Sequence, residues 1–253
     1  MTDRLADKTA FVTGGGAGIG RAIVLAFAAE GATVGVGDID GDAAQVVANE
    51  VTALGSGAAI PFQCDVADRS AVTQAINAFA AHTRRLDVLV NNAVMFHYAP
   101  LVEMPEDIVR RMLDVGVGGT IWSLQAATPH LIAAGGGSVI NMSSVAVSFS
   151  IKNAAVYTSI KGAIDSLTRQ QAVELAPHRI RVNALAPGPI STPGANSVID
   201  KQGWTARAAR TPLGRLATAE QVGAAAVYLA SEDASTITGV TLKIDGGITV
   251  AGP

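Results

Sequence analysis

The chain has a single cysteine, Cys64, among 253 residues. An internal disulfide is therefore excluded, and no cysteine cluster exists to bind zinc. Charge is scarce as well: Asp, Glu, Lys and Arg make up 15% of the residues, with a formal net charge of −3. No basic field is present to attract nucleic acid or an acidic membrane surface. There is no long uncharged apolar span for a bilayer, and Met1-Thr2-Asp3-Arg4 opens without a signal-type apolar stretch. A cytoplasmic protein is the expectation. Linkers, repeats and low-complexity blocks are also missing, and only 187–217 reads as irregular. What is present is 49% hydrophobic, enough for a large core with both faces of a sheet covered. One domain over 1–253 suits the size at which α/β folds form single units.

Apolar runs and helical periodicities alternate along the chain. Strands are expected at 9–13, 33–38, 58–64, 86–91, 137–143, 179–186 and 238–244. Helices are expected near 18–30, 42–54, 68–83, 105–134, 153–176 and 218–231, the last opened by a possible capping box, Thr218 with Gln221. This alternation predicts an α/β fold: a doubly wound, Rossmann-type parallel sheet of seven strands with helices on both faces. Ligands of such sheets bind beyond the carboxyl ends of the strands.

The run Thr13-Gly14-Gly15-Gly16-Ala17-Gly18-Ile19-Gly20 follows the first strand and opens a helix whose face carries Ile19, Ile23, Ala26 and Phe27. Gly31 stops that helix. Small residues let backbone N–H groups approach an anion, and the helix dipole favours its charge, so this is a phosphate site. The usual dinucleotide fingerprint fails, because Ile19 stands where glycine or alanine is needed. A P-loop fails too, because Arg21-Ala22 replaces the Lys-Ser/Thr that would serve a triphosphate and its Mg²⁺. Asp38 closes the second strand, about 20 residues on. A carboxylate there accepts from a ribose 2′-hydroxyl and repels a 2′-phosphate, and no Arg or Lys follows before Glu50. Arg21 is expected to face solvent. NAD is expected over NADP.

Tyr157 and Lys161 stand four apart on a helical pattern, hence on one face. A phenol titrates near pH 10, and a neighbouring ammonium favours its ionised form. The pair is expected to make Tyr157 a general acid/base at neutral pH.

Taken in order, Thr13 to Gly20, Asn91-Asn92-Ala93, Ser144, Tyr157 with Lys161, and Pro187-Gly188 followed by Thr192 resemble the short-chain dehydrogenase/reductase family. Asp245-Gly246-Gly247 matches that family's usual ending, so the resemblance spans essentially the whole chain. It implies an NAD-dependent oxidoreductase that interconverts a secondary alcohol and a ketone using the pro-S hydride, with no metal. The resemblance assigns the cofactor to Gly14, Gly16, Gly18, Ile19, Gly20 and Asp38, then to Asp65 and Val66 at the adenine and Asn92 beneath its ribose. Pro187, Gly188, Ile190 and Thr192 follow at the nicotinamide, with Thr192 donating to the carboxamide. Ser144, thirteen residues before Tyr157, would hold the substrate oxygen, Tyr157 would move the proton, and Lys161 would lower the Tyr157 pKa and bond the ribose. A segment near 189–215 resembles a mobile substrate lid. Its Lys201, Arg207 and Arg210 read as surface charge, or as ligands for an anionic substrate. A homotetramer or dimer is implied as well.

Three departures from the family pattern stand out. Gly116 occupies the place of a catalytic Asn whose carbonyl holds a relay water, so a weakened or rebuilt relay is expected. Val94 replaces a glycine after Asn91-Asn92-Ala93 and is expected to crowd the cofactor or alter substrate access. Ser159-Ile160 replaces Ala-Ser before Lys161, with little chemical effect expected. The loop 94–99, with Phe96 and Tyr98, is expected to line a hydrophobic substrate mouth, and His97 to be a plain loop residue. Two other classes stay open: a nucleotide-binding homologue without turnover, and a lyase on the same scaffold. The complete glycine loop and the intact Ser144, Tyr157 and Lys161 count against both.

Overall fold

Strand β1 (Thr9–Thr13) is buried along its whole length, and its side chains divide between two cores. Ala10 and Val12 point to one side and Phe11 to the other, as the two-residue repeat of a strand requires. The computed structural model describes residues 3–197 and 199–251. In it β1 is an interior strand, third in a seven-stranded sheet of order β3-β2-β1-β4-β5-β6-β7, with every pairing parallel. The other strands are β2 (Thr33–Asp38), β3 (Ala58–Gln63), β4 (Val88–Asn91), β5 (Gly137–Met142), β6 (Ile180–Pro187) and β7 (Thr241–Ile244). The expected fold class is the one observed.

Helices α1 (Gly18–Ala29), α2 (Gly41–Leu54) and α9 (Ala219–Ala230) cover one face around Ile23, Phe27, Val47 and Val227. The opposite face is covered by α3 (Arg69–Thr83), α5 (Gly119–Ala133) and α6 (Ala155–Leu175), packed on Phe11, Phe79, Leu131 and Val182. Among the described residues, no helix is long and apolar enough to cross a membrane. The capping box of α9 forms: the Thr218 hydroxyl accepts from Gln221 N, and the Gln221 side chain accepts from Thr218 N.

Two expectations need correction. The helical pattern over 105–134 is split into α4 (Glu106–Leu113), a π-helical turn at Asp114–Gly118, and α5. A wide turn interrupts the ladder around Gly116 and Gly118, and the Thr120 hydroxyl donates to the Gly116 carbonyl at 2.8 Å. The stretch 187–217, read as irregular, holds two short helices, α7 (Pro193–Asn196) and α8 (Lys201–Ala209). Their starts are set locally, because Thr192 and Asp200 accept first-turn N–H groups as caps.

The chain runs outward from β1 to β3, then returns to place β4 on the other side of β1. This reversal opens a crevice at the carboxyl ends of β1 and β4.

Candidate active site

A cleft of about 1230 Å³ occupies that crevice and is lined by every cofactor and catalytic residue expected from sequence except Gly16 and Gly20. These two act behind the wall. Gly16 N donates to Asp38 Oδ2 at 2.8 Å, and a Cβ at Gly16 would lie 2.9 Å from the same oxygen. A Cβ at Gly20 would fall 1.9 Å from the Gly14 carbonyl oxygen. Gly14 and Gly18 have φ of +64° and +54°, so the loop turns twice through left-handed backbone.

The resulting helix start has no side-chain cap, as is also true of α4 and α6. Asp40, Asp68, Asp200 and Thr218 cap α2, α3, α8 and α9 with side-chain oxygens, whereas α1 begins at Ala17 with no side-chain cap. The first-turn N–H groups of α1 therefore remain available where Gly18 and Ile19 line the cleft. Such a cradle fits a dinucleotide pyrophosphate.

Asp38 is half-buried at the end of β2, accepting from Gly16 N and from Asp40 N at 3.0 Å. Arg21 does not simply face solvent, because its guanidinium pairs with Glu50, joining α1 to α2. Asp65 accepts from Ala67 N at 3.0 Å and from Arg111 Nη2 at 2.7 Å. Asp68, three residues on, caps α3. Val66 packs under Gly119, where a Cβ would lie 2.7 Å from Val66 Cγ2.

Asn91 and Asn92 do tie neighbouring strands. Asn92 Nδ2 donates to the carbonyls of Thr13 and Gly14, at 3.1 and 2.9 Å. Asn91 Nδ2 donates to Asn141 Oδ1 at 2.9 Å, and Asn141 in turn donates to the Thr168 hydroxyl on α6. Across the cleft Thr192 packs against the glycine loop, with its Cβ 3.3 Å from where a Cβ at Gly18 would stand. Gly188 passes within 3.0 Å of Asp245 Cα by the same measure. Ile190 is buried in the core beneath.

Ser144, Tyr157 and Lys161 all line the cleft. Ser144 follows β5 and caps a short 3₁₀ turn, its hydroxyl accepting from Ala146 N at 3.1 Å. Tyr157 and Lys161 share one face of α6, with Nζ 5.8 Å from the centre of the phenol ring. The electrostatics depart from expectation. Burial raises the Tyr157 pKa above its ordinary value, and a hydrogen bond with Ser144 only partly opposes this. The buried Lys161 ammonium donates to the Met142 carbonyl at 2.6 Å. Burial lowers the Lys161 pKa to about 8.

Ile160 packs closely on the π-helical turn. A Cβ at Gly116 would lie 2.5 Å from Ile160 Cγ2, so the replacement beside Lys161 fills the space of any side chain at 116. The Gly116 carbonyl, expected to hold a relay water, accepts from Thr120 Oγ1.

Beyond Tyr157 the wall turns aromatic. Phe96 and Tyr98 stack at 5.7 Å and present themselves edge-on to Tyr157, at 6.4 and 5.9 Å. Burial pushes the Tyr98 phenol up to about 12. Val94 lines the cleft with backbone φ outside the left-handed region, so no strain attends the missing glycine. His97 is exposed and is not among the lining residues. Arg111, Asn141 and Thr168 support the site and were not found from sequence, because only the fold brings them to it.

A family model described as enoyl-(acyl carrier protein) reductase matches residues 14–249. The trans-4-hydroxycyclohexanecarboxylate dehydrogenase of Sinomonas cyclohexanicum is 35% identical over 254 residues, 98% of this chain and 95% of that protein. A short-chain type dehydrogenase/reductase from Mycobacterium marinum superposes with a TM-score of 0.91 at 34% identity, covering 99% of this chain and 98% of the other. A 7α-hydroxysteroid dehydrogenase complexed with NADH and 7-oxo glycochenodeoxycholic acid superposes at 0.93 and 34% identity, covering 97% and 96%. Likeness of this extent, in sequence and in fold together, makes this protein a member of the short-chain dehydrogenase/reductase family.

Proposed function

We propose that the protein is an NAD-dependent dehydrogenase that interconverts a secondary alcohol and a ketone carried on an apolar, ring-bearing body. One observation carries the reading: Ser144, Tyr157 and Lys161 share a cleft with an uncapped helix N-terminus and an acidic β2 end. The two dehydrogenases named for ring alcohols, one of them complexed with NADH, support the substrate and cofactor classes.

The bound nicotinamide supplies the hydride acceptor or donor. The first-turn N–H groups of α1 hold the pyrophosphate, and Asp38 takes the adenosine ribose hydroxyls on its remaining lone pairs. Asp65 and Val66 border the adenine, Asn92 supports the glycine loop, and Pro187, Gly188, Ile190 and Thr192 position the other end. Lys161 holds the second ribose through its ammonium. Ser144 donates to the substrate oxygen and polarises the carbonyl. Tyr157 donates its proton to that oxygen in reduction and removes one from the hydroxyl in oxidation. A raised phenol pKa suits the donor role at neutral pH.

Residues of α7 and α8 line the mouth of the cleft, which supports a lid role for 189–215. Assembly into a homo-oligomer rests on the family resemblance. The test is a panel of cyclic, aliphatic and aromatic secondary alcohols with NAD, followed at the absorbance of the reduced cofactor. Activity lost in Tyr157→Phe upholds the reading, while identical traces from parent and variant favour a binding protein without turnover.

A further inference from the structure

Charge is segregated along the cleft. Among the described residues lining it, the carboxylates are Asp38 and Asp65, both at the end expected to take adenosine, and Asp65 is paired with Arg111. Beyond Tyr157 the lining residues include Lys152, Arg207 and Arg210 and no acid. None of these three cations takes part in an ion pair among the described residues.

Arg207 is the cation built into the wall. It is half-buried on α8, and its Nη1 donates to the Gly203 carbonyl one turn back at 3.0 Å. Asp200, the carboxylate on the same helix segment, is committed to capping, accepting from Gly203 N at 2.7 Å. Arg207 also lies near enough to Tyr98 to favour its ionised form, and the Tyr98 ring is 5.9 Å from that of Tyr157. A guanidinium, an aromatic wall and the catalytic phenol thus follow one another along the cleft.

We infer that Arg207 is an oxyanion subsite, and that the substrate is an alcohol or ketone on an apolar body ending in a carboxylate. This rests on the oxidoreductase reading for its catalytic half. A guanidinium partly withdrawn from water, in no salt bridge among the described residues although the capping Asp200 carboxylate lies just across Gly203 from it, meets a substrate carboxylate as a two-point fork. The single half-buried fork matches one carboxylate, and exposed Arg210 and Lys152 add a screened field that draws the anion in.

The test uses three ketones, 4-oxocyclohexanecarboxylate, 4-methylcyclohexanone and the phosphate monoester of 4-hydroxycyclohexanone. Each is reduced with NADH by the parent, Arg207→Met and Arg207→Lys. The carboxylate is expected to lead the neutral ketone in kcat/KM, and Arg207→Met to cut that ratio about tenfold or more, mainly through KM. Arg207→Lys is expected to recover part of the preference. An unchanged ratio in Arg207→Met overturns the subsite, and a parent that prefers the phosphate tenfold overturns the carboxylate. Should no ketone be reduced, calorimetric titration of the carboxylate into the same proteins decides. Binding abolished by Arg207→Met keeps the subsite while the redox reading falls, and no binding to the parent ends the inference.

Discussion

Gly116 and Ile160 are packed so closely that a single methyl at 116 would lie 2.5 Å from Ile160 Cγ2. The π turn at Asp114–Gly118 and the face of α6 that carries Lys161 meet at this contact. Gly116→Asn is therefore expected to destabilise the protein by about 1–3 kcal/mol in urea unfolding, as overpacking does. Ile160→Ser in the same chain should recover most of that loss, giving a clear coupling in a double-mutant cycle. Equal stability of Gly116→Asn and parent would show that the contact relaxes freely.

Tyr157→Phe keeps the ring, and with it the edge contacts to Phe96 and Tyr98, while removing the oxygen that moves the proton. Turnover is expected to fall by about 10²–10⁴. NADH affinity, followed by fluorescence titration, is expected to stay within about threefold of the parent, since the substitution leaves the cofactor cradle untouched. A variant retaining a tenth of parental activity would remove Tyr157 from the chemistry.

The two directions of reaction should respond differently to pH. Burial raises the Tyr157 pKa, so the phenol stays protonated across neutral pH and the phenolate fraction grows as pH rises. For alcohol oxidation, log kcat/KM is expected to climb with a slope of about 1 to at least pH 9, since this parameter reports the free enzyme. Ketone reduction keeps its proton donor, but Lys161 loses its charge as pH rises through about 8. The KM for NADH should then increase above that pH. An oxidation profile already flat at pH 7 would contradict the raised phenol.

Asp38 both braces the glycine loop and faces the cleft. In Asp38→Ala the Gly16 and Asp40 N–H groups lose their acceptor, at a cost of about 1 kcal/mol where water can replace it. The proposed preference for NAD over NADP, measured as a ratio of kcat/KM, is expected to drop at least about tenfold as repulsion of a 2′-phosphate disappears. Arg21 is held by Glu50, so the preference should be lost without a strong gain for NADP.

Much of the molecule was legible in one dimension because the signals are short-range. Strand and helix periods, the small residues between β1 and α1, the Thr218–Gln221 cap and the four-residue spacing of Tyr157 and Lys161 all act over a few positions. The two short helices after β6 were missed although their caps, Thr192 and Asp200, are equally local, because the surrounding Ser, Thr and Pro read as loop. The π turn was hidden for a different reason: 105–134 keeps a helical period through it.

By itself, then, the chain's order of residues determined the alternating elements, the parallel sheet and the list of groups that gather at its carboxyl edge. Tertiary structure alone decided how those groups are charged and who neighbours whom. Arg111 reaches Asp65 across 46 positions, and Asn91 reaches Asn141 across 50. Met142, not Tyr157, holds the Lys161 ammonium. Arg207 faces the cleft and forms no salt bridge among the described residues. Coulombic and desolvation energies depend on distance and burial in three dimensions, and neither is written in sequence separation.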